Sequence, residues 1–264
     1  MIELRHLTKL YGDTVAVDDL SIQVPDGEFL VLLGGSGCGK TTTLKMVNRL
    51  IEPSGGSVWI DGRDSAELVP FELRRKIGYT FQQVGLFPHM TVAENIAVTP
   101  TLLGWSPRKI QNRVSELLEL VGLDSRELRE RNPTQLSGGQ QQRIGVARAL
   151  AAKPRVMLLD EPFGALDPLT RQRLQKFLAR LRHELSLTIV FVTHDIAEAL
   201  KLADRIAIMQ KGTLRQIGTP AALMLDPADD YVRQLLDAPR QEAQLVETLV
   251  TGNSSSSENI ERDK

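Results

Sequence analysis

Residues Gly34 to Thr41 read GGSGCGKT, a glycine-rich loop closed by a lysine and a hydroxyl residue at the spacing G-x-x-x-x-G-K-[ST]. A loop of this kind holds phosphate. Its glycines let backbone N–H groups curl around phosphate oxygens, and a following helix N-terminus adds partial positive charge. Lys40 can neutralise the β- and γ-phosphates, and Thr41 can ligate Mg²⁺. Gly34, Gly35, Ser36, Gly37, Cys38, Gly39, Lys40, Thr41 and Thr42 are therefore the candidate nucleotide contacts. A plain glycine turn is the alternative, and the flanking residues weigh against it. Glu28 to Leu33 is an apolar run before the loop, and Leu44, Met46, Val47 and Leu50 follow it at helical spacing.

A second apolar run, Val156 to Leu159, ends in Asp160 and Glu161. Asp160 can hold Mg²⁺ through water, and Glu161 can accept a proton from an attacking water. By themselves two acids after a strand suit helix capping equally well, so their chemistry depends on the phosphate loop upstream. LSGGQQQR, Leu136 to Arg143, then opens a helical stretch, Ile144 to Ala152. Ser137 has the type of an N-cap, and Gly138 and Gly139 expose backbone donors at another helix N-terminus. One phosphate site needs only one such device. The economical explanation is that the second completes the site of another copy in a symmetric dimer; a well-capped helix with a glycine-softened start is the plainer one.

These residues need a frame. Strand, loop and helix around residues 28–50 recur at Val156 to Leu159 and at Leu187 to Val192 (LTIVFV), which precedes Thr193 and His194. Short apolar strands alternating with helices predict a mostly parallel sheet, an α/β fold. Met1 to Val24 and Ser57 to Ile60, with turns at Asp26-Gly27 and Asp61-Gly62, predict an antiparallel β layer beside it. Thr91 to Arg131 changes to helix. Pro107 follows Ser106 at a helix start, Ile110, Val114, Leu117, Leu118 and Val121 share one face, and Gly122 fits a stop. After Ile208 come a hairpin around Lys211-Gly212 and two short helices, and residues 252–264, polar with four consecutive serines, are expected to be disordered.

Composition excludes several classes. The 264 residues carry 32 Lys and Arg against 33 Asp and Glu, a net charge of −1, which argues against an electrostatic grip on nucleic acid. No segment approaches the roughly 18 apolar residues of a membrane span. Met1 to Leu10 alternates charged with apolar residues, so no secretory signal is expected, and the single cysteine, Cys38, excludes an internal disulfide framework and suits a reducing cytosol.

Taken in order, the motifs resemble those of the ATP-binding-cassette (ABC) ATPases, of which LSGGQ followed by QQR is the signature; the resemblance covers about residues 1 to 235. It implies a P-loop NTPase cassette over 1–237, with a mostly parallel core sheet, an antiparallel β layer and an α-helical subdomain at about 91–150, and a C-terminal extension over 238–264. ATP and Mg²⁺ are the implied ligands. By the same resemblance Tyr11 stacks on adenine, and Gln82 in YTFQQ is the Q-loop residue near Mg²⁺ and the attacking water. Ala165-Leu166-Asp167 is the D-loop crossing a dimer interface, and His194 in VTHD is the switch histidine at the γ-phosphate. Ser137, Gly138, Gly139 and Gln140 meet the nucleotide of the second copy. Judged on residue type alone, Tyr11 suits packing, His194 a helix cap and Gln82 a polar loop. Gly35 stands where many importer relatives carry proline, a free position of the motif.

Gln82 to Ile96 (QQVGLFPHMTVAENI) gathers Val84, Leu86, Phe87 and Met90 in a loop with few charges, either a contact surface or a segment buried under the helical insertion. In ABC importers this region receives a short coupling helix of the membrane subunit, a helix-in-groove contact. Together with VTHDIAEAL it resembles a bacterial importer ATPase. That implies a peripheral subunit on the cytoplasmic face of the cell membrane, partnered by a second copy, by integral membrane permease subunits and, indirectly, by a substrate-binding protein, with no nucleic acid. GLFPHMTVAENI and LDPADDYVRQLL are similar to the subfamily importing glycine betaine, choline or carnitine. The alternatives are an importer ATPase for amino acids or other small solutes, and an ABC ATPase acting in membrane or nucleic-acid processes other than transport.

Overall fold

Three strands buried on both faces set the centre of the molecule: Phe29–Leu33, Val156–Asp160 and Thr188–Thr193 have every residue buried. Such strands need covering layers on both sides. In the computed structural model, which describes residues 1–82, 84–123, 125–164 and 166–237, the elements in chain order are β1 (Ile2–Tyr11), β2 (Thr14–Val24), β3 (Phe29–Leu33), α1 (Lys40–Val47), β4 (Gly55–Ile60), β5 (Arg63–Asp64), α2 (Pro70–Lys76) and β6 (Ile77–Thr80). Next come α3 (Val92–Leu102), α4 (Pro107–Leu120), α5 (Ser125–Leu128), α6 (Gly138–Leu150), β7 (Val156–Asp160) and α7 (Pro168–Leu185). β8 (Thr188–Thr193), α8 (Ile196–Leu202), β9 (Arg205–Gln210), β10 (Thr213–Gly218) and α9 (Pro220–Leu225) follow, and residues 230–237 are helical.

The six-stranded sheet has the order β10-β9-β3-β8-β7-β6, parallel from β9 to β6, with β10 antiparallel at one edge. Side chains alternate across it with period two. Phe29, Val31 and Leu33 of β3, Met157 and Leu159 of β7, and Ile189 and Phe191 of β8 enter one core with the helices. Leu30 and Leu32, Val156 and Leu158, and Val190 and Val192 enter a second core with α1 and the four-stranded sheet β2-β1-β4-β5. That sheet is antiparallel throughout, as the patterning of Met1 to Val24 and Ser57 to Ile60 predicts.

Helices α3 to α6 lie between β6 and β7. Thr91 caps α3 in a reciprocal box with Glu94. Pro107 opens α4, Val114, Leu117, Leu118 and Val121 are buried, and Gly122 ends it at φ +67°. The turn between β9 and β10 places Lys211 at φ +49° and Gly212 at φ +85°, the two left-handed residues of a tight hairpin. The extension 238–264, with its serine tract, lies outside the described residues.

Phe191 stands between Phe29 and Phe163, with ring centroids 5.8 and 5.5 Å away. Phe191→Ala is expected to lower stability by about 3–5 kcal/mol, read from the denaturation midpoint; a loss under about 1 kcal/mol would mean this layer does not carry the core.

Candidate functional site

The parallel sheet brings the chemistry to one edge. β6, β7 and β8 are neighbours and run the same way, so the residues just beyond their C-terminal ends, Gln82, Glu161 and His194, emerge side by side, where an open α/β sheet binds ligands. β3 delivers the glycine loop to the same end.

The loop is held by close backbone approach. A Cβ at Gly34 would stand 2.2 Å from the Met209 carbonyl oxygen, and one at Gly39, with φ +103°, 2.5 Å from that of Ala16. The turn after β9 fixes the loop from outside, since Gly212 N–H donates to Cys38 O at 3.1 Å and its own carbonyl accepts from Asp18 N–H at 2.9 Å. Gly35 is different: a Cβ there meets nothing within 4 Å, which accords with a free position of the motif. α1 starts at Lys40 with no side-chain cap and no acid in its first turn, leaving its first N–H groups for an external anion.

Lys40 is 5% exposed, and its Nζ donates to Gly34 O at 2.7 Å and Gly35 O at 2.9 Å. The Thr41 hydroxyl donates to Asp160 Oδ1 at 2.8 Å. Asp160 is buried; desolvation pushes its carboxyl above the ordinary value near 3.8, against the pull of the Thr41 hydroxyl, Lys45 and Lys40 and with some repulsion from Glu161. Tyr79 of β6 lies beside it, and burial together with this negative neighbour raises the phenol.

Glu161 takes a left-handed backbone at φ +43°, and its N–H donates to Val192 O at 3.0 Å. Its carboxylate accepts from Gln82 Nε2 at 3.0 Å on one oxygen and lies 3.3 Å from His194 Nδ1 on the other. A left-handed non-glycine residue is strained, and such strain gathers at functional sites. A cavity of about 200 Å³ is lined by Ala16, Ser36 to Thr42, Gln82 and Glu161.

Oxygen chemistry decides whether Mg²⁺ fits. The Thr41 hydroxyl and the Asp160 carboxylate are hard donors of the type it takes. Among the described residues no group of three His, Cys, Asp or Glu could hold a metal, so the remaining coordination would come from phosphate and water, the usual arrangement for this ion. Thr41 and Asp160, with Gln82 close by, are the residues that would hold it.

The expected second device is built as a capped helix start. Ser137 Oγ accepts from Gln140 N–H at 3.3 Å, and Gln140 Oε1 from Ser137 N–H at 2.9 Å. Neither Ser137, Gly138, Gly139, Gln140 nor Tyr11 lines the cavity. Tyr11 is 51% exposed, with the Lys9 ammonium 5.2 Å from its ring centroid. Asp167 caps α7 by accepting from Leu169 and Thr170 N–H, while Ala165 of the same segment lies outside the described residues.

Several residues of the site escape sequence reasoning. Ala16, Tyr79 and Gly212 enter through long-range contact, which no local pattern announces. Glu198 is buried; it accepts from the Thr193 hydroxyl at 2.8 Å and from Gln175 Nε2 at 3.3 Å, with Arg171 3.8 Å away, and burial raises its carboxyl. Arg171 also reaches Asp195 at 3.3 Å, so the residues on both sides of His194 are tied to α7.

The loop after Gln82 is pinned too. Asn95, fully buried, donates to Phe87 O, Met90 O and Thr91 O. Arg148 of α6 donates to Val84 O and Gly85 O, both at 2.8 Å. Val84 sits against Gly145, where a Cβ would come within 2.6 Å of it. The loop is partly buried and partly open: Leu86 packs on the core while Phe87 is 40% exposed.

Comparison with known proteins gives one consistent likeness. The sequence model of the ABC transporter family matches residues 17–164. A glycine betaine/carnitine/choline transport ATP-binding protein of Bacillus subtilis is 52% identical over 241 residues, covering 91% of this chain and 63% of the relative. This chain thus spans less than two thirds of that relative's length. A glycine betaine uptake system ATP-binding protein of Escherichia coli is 53% identical over 234 residues, covering 89% and 76%. A dimeric ATP-binding cassette solved in a post-hydrolysis state with ADP and phosphate superposes with a TM-score of 0.76 at 35% identity, over 83% of this chain and 99% of that one.

Asp160→Asn is expected to raise the unfolding midpoint of the nucleotide-free chain at pH 7. The folded carboxyl binds its proton more readily than the unfolded one, so the group's contribution to stability declines as pH rises from below 3.8 through the raised folded value, then stays level. The advantage of the amide should shrink as the pH falls through that window in parallel thermal melts. An advantage of equal size at both ends would assign it to another cause.

Proposed function

Since the chain belongs to the ABC transporter family through its ATP-binding cassette, we propose that it hydrolyses ATP to power an importer, working as a pair of copies that enclose two nucleotides. The observation that carries this reading is the Glu161 carboxylate, set between Gln82 Nε2 and His194 Nδ1 and next in sequence to the Asp160–Thr41 hydrogen bond.

In the mechanism we favour, phosphate enters the cavity of the glycine loop, and the Lys40 ammonium exchanges its two carbonyl partners for β- and γ-phosphate oxygens. The N–H groups at the start of α1 supply further donors. Thr41 and Asp160 would hold Mg²⁺, which when bound would supply positive charge to offset the negative charge of the phosphates. Glu161 takes the proton of the attacking water, Gln82 orients that water, and His194 donates toward the γ-phosphate. Tyr11 stacks on adenine. Ser137, Gly138, Gly139 and Gln140 complete the site of the second copy; their position at the exposed start of α6, outside the cavity of their own chain, supports this. The neighbour solved with ADP and phosphate is itself described as dimeric.

Coupling runs through the loop after Gln82. Phe87, exposed beside a loop anchored by Asn95 and Arg148, suits an apolar groove for a helix of a permease subunit. No helix among the described residues is long and apolar enough to cross a membrane, so the solute path is assigned to permease subunits, with this chain peripheral on the cytoplasmic face and a substrate-binding protein acting indirectly. The names of the relatives point to a quaternary ammonium compound, glycine betaine, choline or carnitine.

Lys40→Ala is expected to abolish ATP binding or turnover in an equilibrium binding and phosphate-release assay. Glu161→Gln should bind Mg-ATP, lose about 10²–10⁴-fold in turnover and accumulate as a dimer in gel filtration. A Glu161→Gln protein that stays monomeric at saturating Mg-ATP would overturn the composite site. Deleting the encoding gene should abolish uptake of radiolabelled glycine betaine, choline or carnitine; full uptake of all three would remove the substrate assignment and leave the ATPase intact.

A further inference from the structure

At the other end of β6 and β7 lies a larger cavity, of about 590 Å³, with Ile77 and Val156 at the first positions of those strands on its wall. From Val156 the strand runs four residues to Asp160, about 13 Å, so this cavity is separate from the glycine-loop site. Five cations line it: Arg63, Arg75, Lys76, Lys153 and Arg155. Its single acid, Asp61, already accepts from the Met1 amino group at 2.8 Å.

The chain does not leave cations together for want of acids, since acidic residues outnumber basic ones by one. Several arginines elsewhere do find acids, Arg205 with Glu28 at 3.1 Å, Arg215 with Asp229 at 2.6 Å and Arg171 with Asp195 at 3.3 Å. Among the described residues none of the five cavity cations has a carboxylate partner, and Arg75 rests instead 5.1 Å from the Phe71 ring centroid. Like charges around one concavity repel each other and focus a positive field into it. Leu68, Leu73, Ile77 and Leu103 contribute apolar surface to the lining of this cavity. Its size lies in the range of small-molecule sites.

We propose that this cavity binds a phosphate-bearing anion whose apolar or planar body packs on the leucines of its lining and whose charges are taken by Arg63, Lys153 and Arg155. Guanidinium groups suit phosphate because they donate two parallel hydrogen bonds. Two sources carry this chemistry, a free phosphorylated metabolite and the headgroup of an anionic phospholipid. An occupant would touch the far ends of two elements of the nucleotide site, because Lys153 and Arg155 join the end of α6, which begins after Ser137, to the start of β7, which ends at Asp160.

The test uses the full chain carrying Lys40→Ala, which weakens anion binding at the glycine loop, in about 150 mM salt so that diffuse attraction is screened. Inorganic pyrophosphate is titrated by calorimetry, and vesicles of phosphatidylglycerol with phosphatidylcholine are floated with the protein. The same measurements follow on a chain that also carries Arg63→Gln, Lys153→Gln and Arg155→Gln, all exposed side chains. Circular dichroism checks the fold, and Lys153→Gln alone serves as a milder variant. Pyrophosphate binding that weakens at least tenfold in the triple variant, and by a lesser factor in the single one, supports the site with a free metabolite as its source. Binding to phosphatidylglycerol vesicles alone, lost in the triple variant, supports it with a lipid headgroup. Absence of both at millimolar phosphate, or equal binding by parent and triple variant, overturns it.

Discussion

Gly34 and Gly39 lie where no β-carbon fits, one against the carbonyl of Met209 and the other against that of Ala16. Through those two contacts the glycine loop is wedged between the end of β9 and the start of β2, and the Gly212 hydrogen bond to Cys38 closes the wedge. The phosphate-loop side of the site takes its position from this fit. It points the start of α1 into the cavity, sets Lys40 over the loop's own carbonyls and brings the Thr41 hydroxyl to Asp160. The loop is thus fixed before any ligand arrives, which limits the ordering that binding must impose.

Glu161 and Asp160 show how one strand end serves two electrostatic ends. Asp160 is buried beside Tyr79 and accepts from a hydroxyl, and desolvation disfavours its charged form there. Glu161, one residue on, turns through a left-handed backbone that brings its carboxylate between Gln82 and His194. A strand that simply continued would send consecutive side chains to opposite faces. The bend is what lets neighbouring acids serve one site.

Much of this was legible in the sequence, for physical reasons. β3, β7 and β8 could be read because burial on both faces demands uninterrupted apolar runs, and α4 because its buried positions recur at helical spacing between Pro107 and Gly122. The motif residues around Gly34 to Thr42 were legible because phosphate chemistry restricts residue types at fixed offsets. Strand order was not. Gln82, Glu161 and His194 meet only because β7 lies between β6 and β8, and alternating strands and helices do not specify which strands are neighbours. The Arg171–Glu198 network and the contacts of Ala16 and Gly212 were hidden for the same reason: each joins residues far apart in the chain through tertiary packing alone.

Arg148 and Gly145 lie on the helix that Ser137 begins, and they hold the backbone and side chain of the loop that follows Gln82. α6 is a straight-through element of 13 residues, about 20 Å long. Loop and helix are therefore joined by both backbone and side-chain contacts in the C-terminal half of α6. Asn95 ties the loop around Phe87 on one side and Arg148 on the other, so the contacts that lead from Phe87 towards Ser137 and Gly139 run through side chains set on one helix. Under the proposed pairing of copies, a contact at Phe87 and the placement of Ser137 and Gly139 would be two ends of one continuous connection.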